Sequence, residues 1–318
     1  MLKAFGGPEN LVLEDVPEPV PGEGQVLVEL TAIGVNFVEI YHRIGRYPGP
    51  LPRILGSEGA GRVVAVGPGV DSVRVGDRVA SASLQGAYAQ KAVAAATDVV
   101  PVPESVSDET AAAAFLQGLT AHYLLFDTYP VKPGDTVLVH AAAGGVGLLL
   151  TQIATRLGAR VIATVSTEEK ERLARGAGAA EVIRYGDGVD VAAEVRRLTN
   201  GEGVAAVYDG VGAATFDASL ASLRPRGVLA LFGQSSGPVP SIDPQRLNAA
   251  GSVFLTRPTL WHYVATPEEL RRRADDLFRF IAEGLDIRIH DRYPLRDAGR
   301  AQSDLESRRT TGKLLLIP

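Results

Sequence analysis

Residues 136–150 read TVLVHAAAGGVGLLL. An apolar run stops at three alanines, passes two adjacent glycines, a valine and a third glycine, and resumes as a second apolar run. A chain that strips its side chains between two buried segments brings backbone close to something, either another backbone or a ligand. A strand, a bare turn and the start of a helix meet in this way in the βαβ unit, so the stretch narrows the fold before anything else is read.

The following sequence keeps that rhythm. TVLVH reads as a strand and GGVGLLLTQIATRLG as a helix closed by Gly158; RVIATV is a strand and TEEKERLARGAG a helix; EVIRY is a strand and DVAAEVRRLT a helix. GVAAVYD, AATFDASLASL and GVLALFG continue as strand, helix and strand, and GSVFLTR is a candidate sixth strand. Alternation of this kind predicts a Rossmann-type, doubly wound parallel sheet with helices on both faces.

Residues 1 to about 100 read differently. Valine-rich runs (QVLVELTAIGV, AGRVVAVG, DRVASAS, AYAQKAVAA) alternate with the turn signals PGEG, GPGV and VGDR. That predicts a small, mostly antiparallel, barrel-like domain. Near Ser107 the stretch SDETAAAAFLQGLTAHYLLF has helical spacing and a Ser or Asp cap, which suits a connector. Thr266-Pro267-Glu268-Glu269 is a capping-box start for a helix running to about Ala282 and stopped by Gly284, and the terminal TTGKLLLIP is strand-like. The expected division is 1–122, completed by 262–318, around a dinucleotide-binding domain of 123–261, with a cleft between the two.

Composition removes several functions. The 318 residues carry a formal net charge of −5, which disfavours a nucleic-acid binder. There is no cysteine, so disulfides, thiolate catalysis and cysteine-ligated zinc are excluded. His42, His122, His140, His262 and His290 show no paired metal spacing such as HExxH, which leaves open only a single site built from scattered histidines and carboxylates. No apolar run has the length of a membrane span and no signal peptide is read at the start, so the expected location is cytoplasmic.

Set against the dinucleotide fingerprint G-x-G-x-x-G, the loop places Ala142, Gly144 and Gly147 at the three key positions. Gly144, Gly145 and Val146 would lie along a pyrophosphate, Gly147 would let the helix pack on the strand, and the helix N-terminus would supply N–H groups and a favourable dipole. An NAD site usually has an acid about 20 residues further on. Here the second strand ends in Ala163-Thr164-Val165-Ser166-Thr167, and a hydroxyl at Ser166 with a cation at Lys170 suits a 2′-phosphate, although from these residues alone Lys170 reads first as a solvated helix lysine. Phe232, Gly233 and Ser235 end the fifth strand at the carboxyl edge and are expected to face the cofactor, whereas Asp209 reads first as a cap for the next helix.

The chain resembles the zinc-independent quinone oxidoreductases of the medium-chain dehydrogenase/reductase superfamily, the zeta-crystallin-like group. The likeness runs over GGPENLVLEDVPEP, AIGVNFVEIYHRIGRYP, GSEGAGRVVAVGPGV, VGDRV, AAAFLQGLTAHYLL, GDTVLVHAAAGGVGLLLTQIA, VYDGVG, FGQSSG and ESRRTTGKLLLIP. It implies a GroES-like first domain, NADPH as cofactor, a homodimer, and hydride transfer to a quinone. Zinc-dependent relatives carry a cysteine where GVN has Asn36 and a histidine where GSEG has Ser57; neither ligand is here, so the resemblance implies an acceptor that is electrophilic without a Lewis acid.

The same resemblance implies that Lys170, Tyr185 and Arg308 clamp the 2′-phosphate, with Arg309 as a substitute for Arg308, and that Asn36, Tyr41 and Tyr47 line the nicotinamide end, where the tyrosines either donate to a quinone oxygen or simply pack. The apolar edge 252–257 would pair with its copy in a second subunit. Two other functions stay open at this point: reduction of the C=C bond of an enone or alkenal, and a crystallin-like protein that binds NADPH without turnover.

Overall fold

The structure is a computed structural model that describes residues 1–186 and 188–318. The chain divides into two compact units, Met1–Leu119 with Val264–Pro318, and Thr120–Tyr263.

The first unit opens with β1 (Gln25–Val35), α1 (Phe37–Arg43), β2 (Gly59–Val66), β3 (Arg78–Ser81), β4 (Lys91–Ala95) and β5 (Val100–Pro101). β1 is long enough to serve several partners: its first half pairs antiparallel with β4, from Gln25↔Ala95 to Glu29↔Lys91, while β2 runs antiparallel along its other edge. Val26, Val28, Leu30 and Ile33 of β1 join a buried core with Val63, Val79 and Ala92. α2 (Asp108–Tyr123) follows, and the division between the units falls within it. Ser107 caps it, its Oγ accepting from the Thr110 N–H at 3.0 Å.

The second unit contains β6 (Thr136–Val139), α3 (Gly145–Arg156), β7 (Arg160–Val165), α4 (Glu168–Gly176), β8 (Glu181–Arg184), α5 (Val191–Leu198), β9 (Val204–Asp209), α6 (Phe216–Ser222), β10 (Leu223–Leu231), α7 (Gln245–Ala249) and β11 (Phe254–Thr256). Among the described residues the sheet order is β11-β10-β9-β6-β7-β8, and each neighbouring pair is parallel. Every residue of β9 is buried, as a central strand covered on both faces must be. The first strand, β6, lies beside the fourth, β9; the order reverses there, and ligands of such sheets bind outside the strand ends at that point.

Two boundaries differ from the sequence reading. Leu223, read as the end of a helix, begins β10 and pairs with Val204; the register then shifts before Val228, across a stretch in which Arg226 takes φ 62°. The sixth strand is only Phe254–Thr256, because its pairing to β10 covers Val228↔Phe254 to Ala230↔Thr256 and no more.

The chain then completes the first unit with α8 (Pro267–Ala282), β12 (Ile289–Pro294), α9 (Ala298–Glu306) and β13 (Lys313–Ile317). The Glu269 N–H donates to Thr266 Oγ1 at 3.2 Å as the capping box requires, but the Glu269 carboxylate accepts from Ala265, one residue before the cap. α8 packs on the first part of α2: Phe115 and Phe278 lie 6.1 Å apart between ring centres, and a Cβ on Gly118 would meet Leu277 Cδ1 at 2.5 Å. β13 pairs antiparallel with the second half of β1, Ile33↔Leu316 to Val35↔Leu314, and parallel with β12. The chain terminus thereby becomes an inner strand of the sheet that began at residue 25.

Candidate active site

The glycines of the 140–147 loop do different jobs. Ala141 is the residue that turns left-handed, with φ 49°. Ala142, at the first fingerprint position, is fully buried and donates its N–H to the Thr164 carbonyl at 3.1 Å. The tight turn is thus taken one residue early, and the first glycine can be alanine. Gly147 is demanded by the fold: a Cβ there would overlap the Ala141 carbonyl oxygen and lie 2.7 Å from Ala142 Cα. Gly144 is not. Its φ of −77° suits any residue, and a Cβ would meet only the Ala141 oxygen, at 3.2 Å. The side chain missing at Gly144 therefore leaves backbone open beside the N-terminus of α3, a twelve-residue helix whose first N–H groups point out of its end. That cradle fits a pyrophosphate.

One strand further on, β7 and β8 end together, Val165 opposite Arg184. Ser166 follows β7, and Tyr185 follows β8, its N–H donating to the Val165 carbonyl at 2.9 Å. Thr167 caps α4 by accepting from the Lys170 N–H at 3.2 Å, which places Lys170 in the first turn of that helix. Ser166 and Tyr185 are exposed and Lys170 half-buried, so the structure gathers these three at one corner of the sheet's carboxyl edge. Arg308 belongs to the other unit, in an exposed turn after α9 with φ 58°; beside it Arg309 lies 3.9 Å from Asp304.

At the switch point the loops after β9 and β10 are knitted together. Phe232 and Gly233 donate their N–H groups to the Asp209 carbonyl at 2.9 and 3.3 Å, and Ser235 donates to the Gly210 carbonyl at 3.3 Å. Gly233 has no room for a side chain, since a Cβ would lie 2.8 Å from Gly210 Cα. Asp209 organises the loop from below. Its carboxylate accepts from the N–H groups of Val211 and Gly212 at 2.8 and 3.0 Å and from the hydroxyls of Thr215 and Ser219 at 2.8 and 2.7 Å. Ser219 Oγ, already donating to Asp209, lies 3.0 Å from His140 Nε2, and His140 Nδ1 lies 2.9 Å from Thr164 Oγ1. That chain of contacts assigns the proton to Nε2. Burial lowers the His140 pKa, with Asp209 opposing, so the ring is held neutral.

In the first unit, Asn36 joins β1 to α1 and is 6% exposed. Its amide oxygen accepts from Lys313 Nζ at 2.6 Å, and its amide nitrogen donates to Glu58 at 2.8 Å and more weakly, at 3.5 Å, to the Gly34 carbonyl. Lys313 also bonds Glu58 directly, and the second Glu58 oxygen accepts from the Leu116 N–H at 2.6 Å. Gly34 makes this cluster possible, since a Cβ there would overlap the Glu58 carboxylate and sit 2.8 Å from Lys313 Cε. Glu39, on α1, accepts from the Asn36 N–H at 2.8 Å and from Ser57 Oγ at 3.3 Å. Its burial pushes the carboxyl pKa up to about 7 against the opposing pull of Lys313. Tyr41 is buried on the same helix. Tyr47 meets it edge-on at 5.4 Å, and the Arg46 guanidinium stands 5.1 Å from its ring centre.

Asn36 precedes α1, Tyr41 lies on that helix and Tyr47 packs against Tyr41 from the turn after it; Glu39, Glu58 and Lys313 were not singled out in the sequence. Asn36 and Glu39 do stand at capping-box spacing, a local signal. Lys313 is a lone cation in an otherwise apolar strand and had no visible partner until β13 was placed on β1.

The two folds and these loops define an α/β oxidoreductase built from a GroES-like unit and a dinucleotide-binding unit. The family described as "Alcohol dehydrogenase GroES-like domain" matches residues 22–104, and that described as "Zinc-binding dehydrogenase" matches 145–270. A quinone oxidoreductase of Pseudomonas aeruginosa is 48% identical over 318 residues, covering 99% of this chain and 98% of the relative. A mycobacterial protein solved in complex with NADPH superposes with a TM-score of 0.98 at 57% identity, covering 100% and 98% of the two chains. A 2-haloacrylate reductase of a Burkholderia species is 44% identical, covering 98% and 96%. The chain belongs to the quinone oxidoreductase family of the medium-chain dehydrogenase/reductase superfamily. For a family whose description names zinc, this chain brings no cysteine, and among the described residues no three His, Cys, Asp or Glu gather as a metal-binding set.

Proposed function

We propose that this protein is an NADPH-dependent quinone oxidoreductase that needs no metal ion. The observation that carries this reading is the backbone left bare at Gly144 beside the α3 N-terminus, in a chain 57% identical to a protein solved with NADPH. When bound, the cofactor supplies the hydride. Gly144, Gly145, Val146 and Gly147 hold the pyrophosphate through backbone N–H groups. Ser166, Lys170 and Tyr185 bind the 2′-phosphate, and Arg308 adds a second cation to NADPH affinity. Phe232, Gly233 and Ser235 present the rigid switch-point loop to the nicotinamide half.

Tyr41 and Tyr47 donate to the quinone oxygen as charge builds there, a contribution of about 2–4 kcal/mol in the transition state. Asn36 offers its amide hydrogen on the long Gly34 side, the other being held by Glu58. Phe254, 62% exposed on the last strand of the parallel sheet, supports a homodimer formed along residues 252–257. No described helix is long and apolar enough to cross a membrane, and we place the protein in the cytoplasm.

Reduction of an activated C=C bond is the second reading, favoured by the 2-haloacrylate reductase among the relatives. Cofactor oxidation with a para-quinone and with an enone, each offered separately, tests both. Quinone-only turnover supports the first reading, enone-only turnover replaces it by the second, and no turnover with either refutes both.

A further inference from the structure

Quinone reduction needs one proton beside the hydride, and the first unit holds a buried cluster of acid and base side chains. Two carboxyl groups, Glu39 at 1% exposure and Glu58 at 0%, stand near a single buried ammonium, Lys313. Glu58 takes the Lys313 contact together with the Asn36 amide and the Leu116 N–H. A second negative charge in so dry a place is costly, so the remaining proton belongs on Glu39. With the proton on Glu39, its 3.3 Å contact with the half-buried Ser57 runs from carboxyl to hydroxyl, and the Ser57 O–H, donated to Glu39 when that group is a carboxylate, is free to turn outward. Asn36, which the functional reading sets at the quinone, gives its backbone N–H to one Glu39 oxygen at 2.8 Å, and Ser57 Oγ lies 3.3 Å from the other.

We propose that Glu39 is the proton source of the reaction, acting through Ser57 on the oxygen of the reduced quinone. The proposal rests on the quinone oxidoreductase reading. As hydride arrives, the quinone gains two electrons and a hydrogen, NADPH is oxidised, and one quinone oxygen is left anionic. The Ser57 O–H bond breaks toward that oxygen, and the Glu39 O–H bond breaks to restore the Ser57 hydroxyl. Glu39 is left as a carboxylate facing the Lys313 ammonium, and after product leaves it regains a proton from water through Ser57. The other charged and titratable groups acting on Glu39 or acted on by it are Glu58 before β2, Lys313 on β13 and the phenol of Tyr88; Arg43, one turn along α1, acts on Tyr88 and is itself paired to Glu306 at 2.7 Å. The carboxyl pKa, raised to about 7, suits a donor working near neutrality.

The test uses the full chain and the variants Glu39→Gln, Ser57→Ala and Ser57→Thr. In the cofactor-free protein, infrared titration should show a protonated-carboxyl band that disappears around pH 7 and is absent from Glu39→Gln. With NADPH and a para-quinone, kcat should fall above about pH 7 in the unsubstituted chain. It should be roughly a hundredfold lower and flat with pH in Glu39→Gln and Ser57→Ala, with NADPH affinity unchanged and Ser57→Thr restoring both rate and pH break. Glu39→Gln turnover at the original rate with the original pH break would overturn the proposal, as would a Ser57→Ala profile indistinguishable from the unsubstituted one. If Glu39→Gln does not fold, the Ser57 pair decides by itself. Absence of quinone turnover in the unsubstituted chain at every pH would instead sink the functional reading on which the proposal rests.

Discussion

Replacing Gly144 and Gly147 by alanine, one at a time, separates what the fold demands from what the ligand demands. At Gly147 the new methyl would overlap the Ala141 carbonyl and press on Ala142 Cα from 2.7 Å, both backbone atoms. Relief requires moving α3 away from β6, an overpacking cost of about 2 kcal/mol. In a unit of this size that lowers Tm by roughly 4–8 °C. At Gly144 the methyl meets one oxygen at 3.2 Å with an unstrained φ of −77°. The loss there should stay within about 0.5 kcal/mol, or roughly 1–2 °C. NADPH affinity reverses the order of blame. Gly144→Ala should lose at least about tenfold, or ~1.4 kcal/mol, because the methyl fills the space over the helix N-terminus. Thermal denaturation of the cofactor-free protein and calorimetric titration with NADPH measure the two effects. A Gly144→Ala chain that binds NADPH normally would refute the placement of the pyrophosphate. A Gly147→Ala chain that melts with the unsubstituted one would refute the packing argument.

Three further expectations follow from single residues. Lys170→Ala should weaken NADPH binding by roughly tenfold and leave NADH nearly untouched; equal losses in a fluorescence titration would remove Lys170 from the 2′-phosphate. Phe254→Lys should give a folded monomer by light scattering, since it puts charge on the exposed sheet edge; a dimer would move the interface elsewhere. Glu39, with a folded pKa of about 7 against 4.5 for an ordinary glutamate, contributes stability that is fully present below pH 4.5 and is lost as pH rises through 7. Relative to Glu39→Gln, the unsubstituted chain should therefore lose on the order of 3 kcal/mol across that window in denaturant titrations, and a constant difference would contradict the assigned protonation.

What the sequence revealed was local. Strand, glycine turn and helix lie within residues 136–150, and periodicity located the strand end at which Ser166 stands; Lys170 and Tyr185 were singled out as a clamp only by the family resemblance. The Thr266 and Ser107 caps were visible because a cap and its partner lie three residues apart. What stayed hidden was long-range. Lys313 reaches Asn36 and Glu58 only because β13 pairs with β1, and nothing in KLLLI announces that register. His140 read as the last letter of a strand, and its contacts to Thr164 and Ser219 join three separate βα units. The early start of β10 was missed for another reason: Arg224, Pro225 and Arg226 read as a break between elements, whereas the strand passes through them with a shift of register.

The most direct test of the central claim follows nicotinamide absorbance while the unsubstituted protein is offered a small para-quinone, with NADPH and with NADH in parallel. Rapid oxidation of NADPH, slow oxidation of NADH, and no dependence on a metal chelator are the results expected. Stabilisation by NADPH without turnover of any quinone would contradict the claim and leave a binding protein on an oxidoreductase fold.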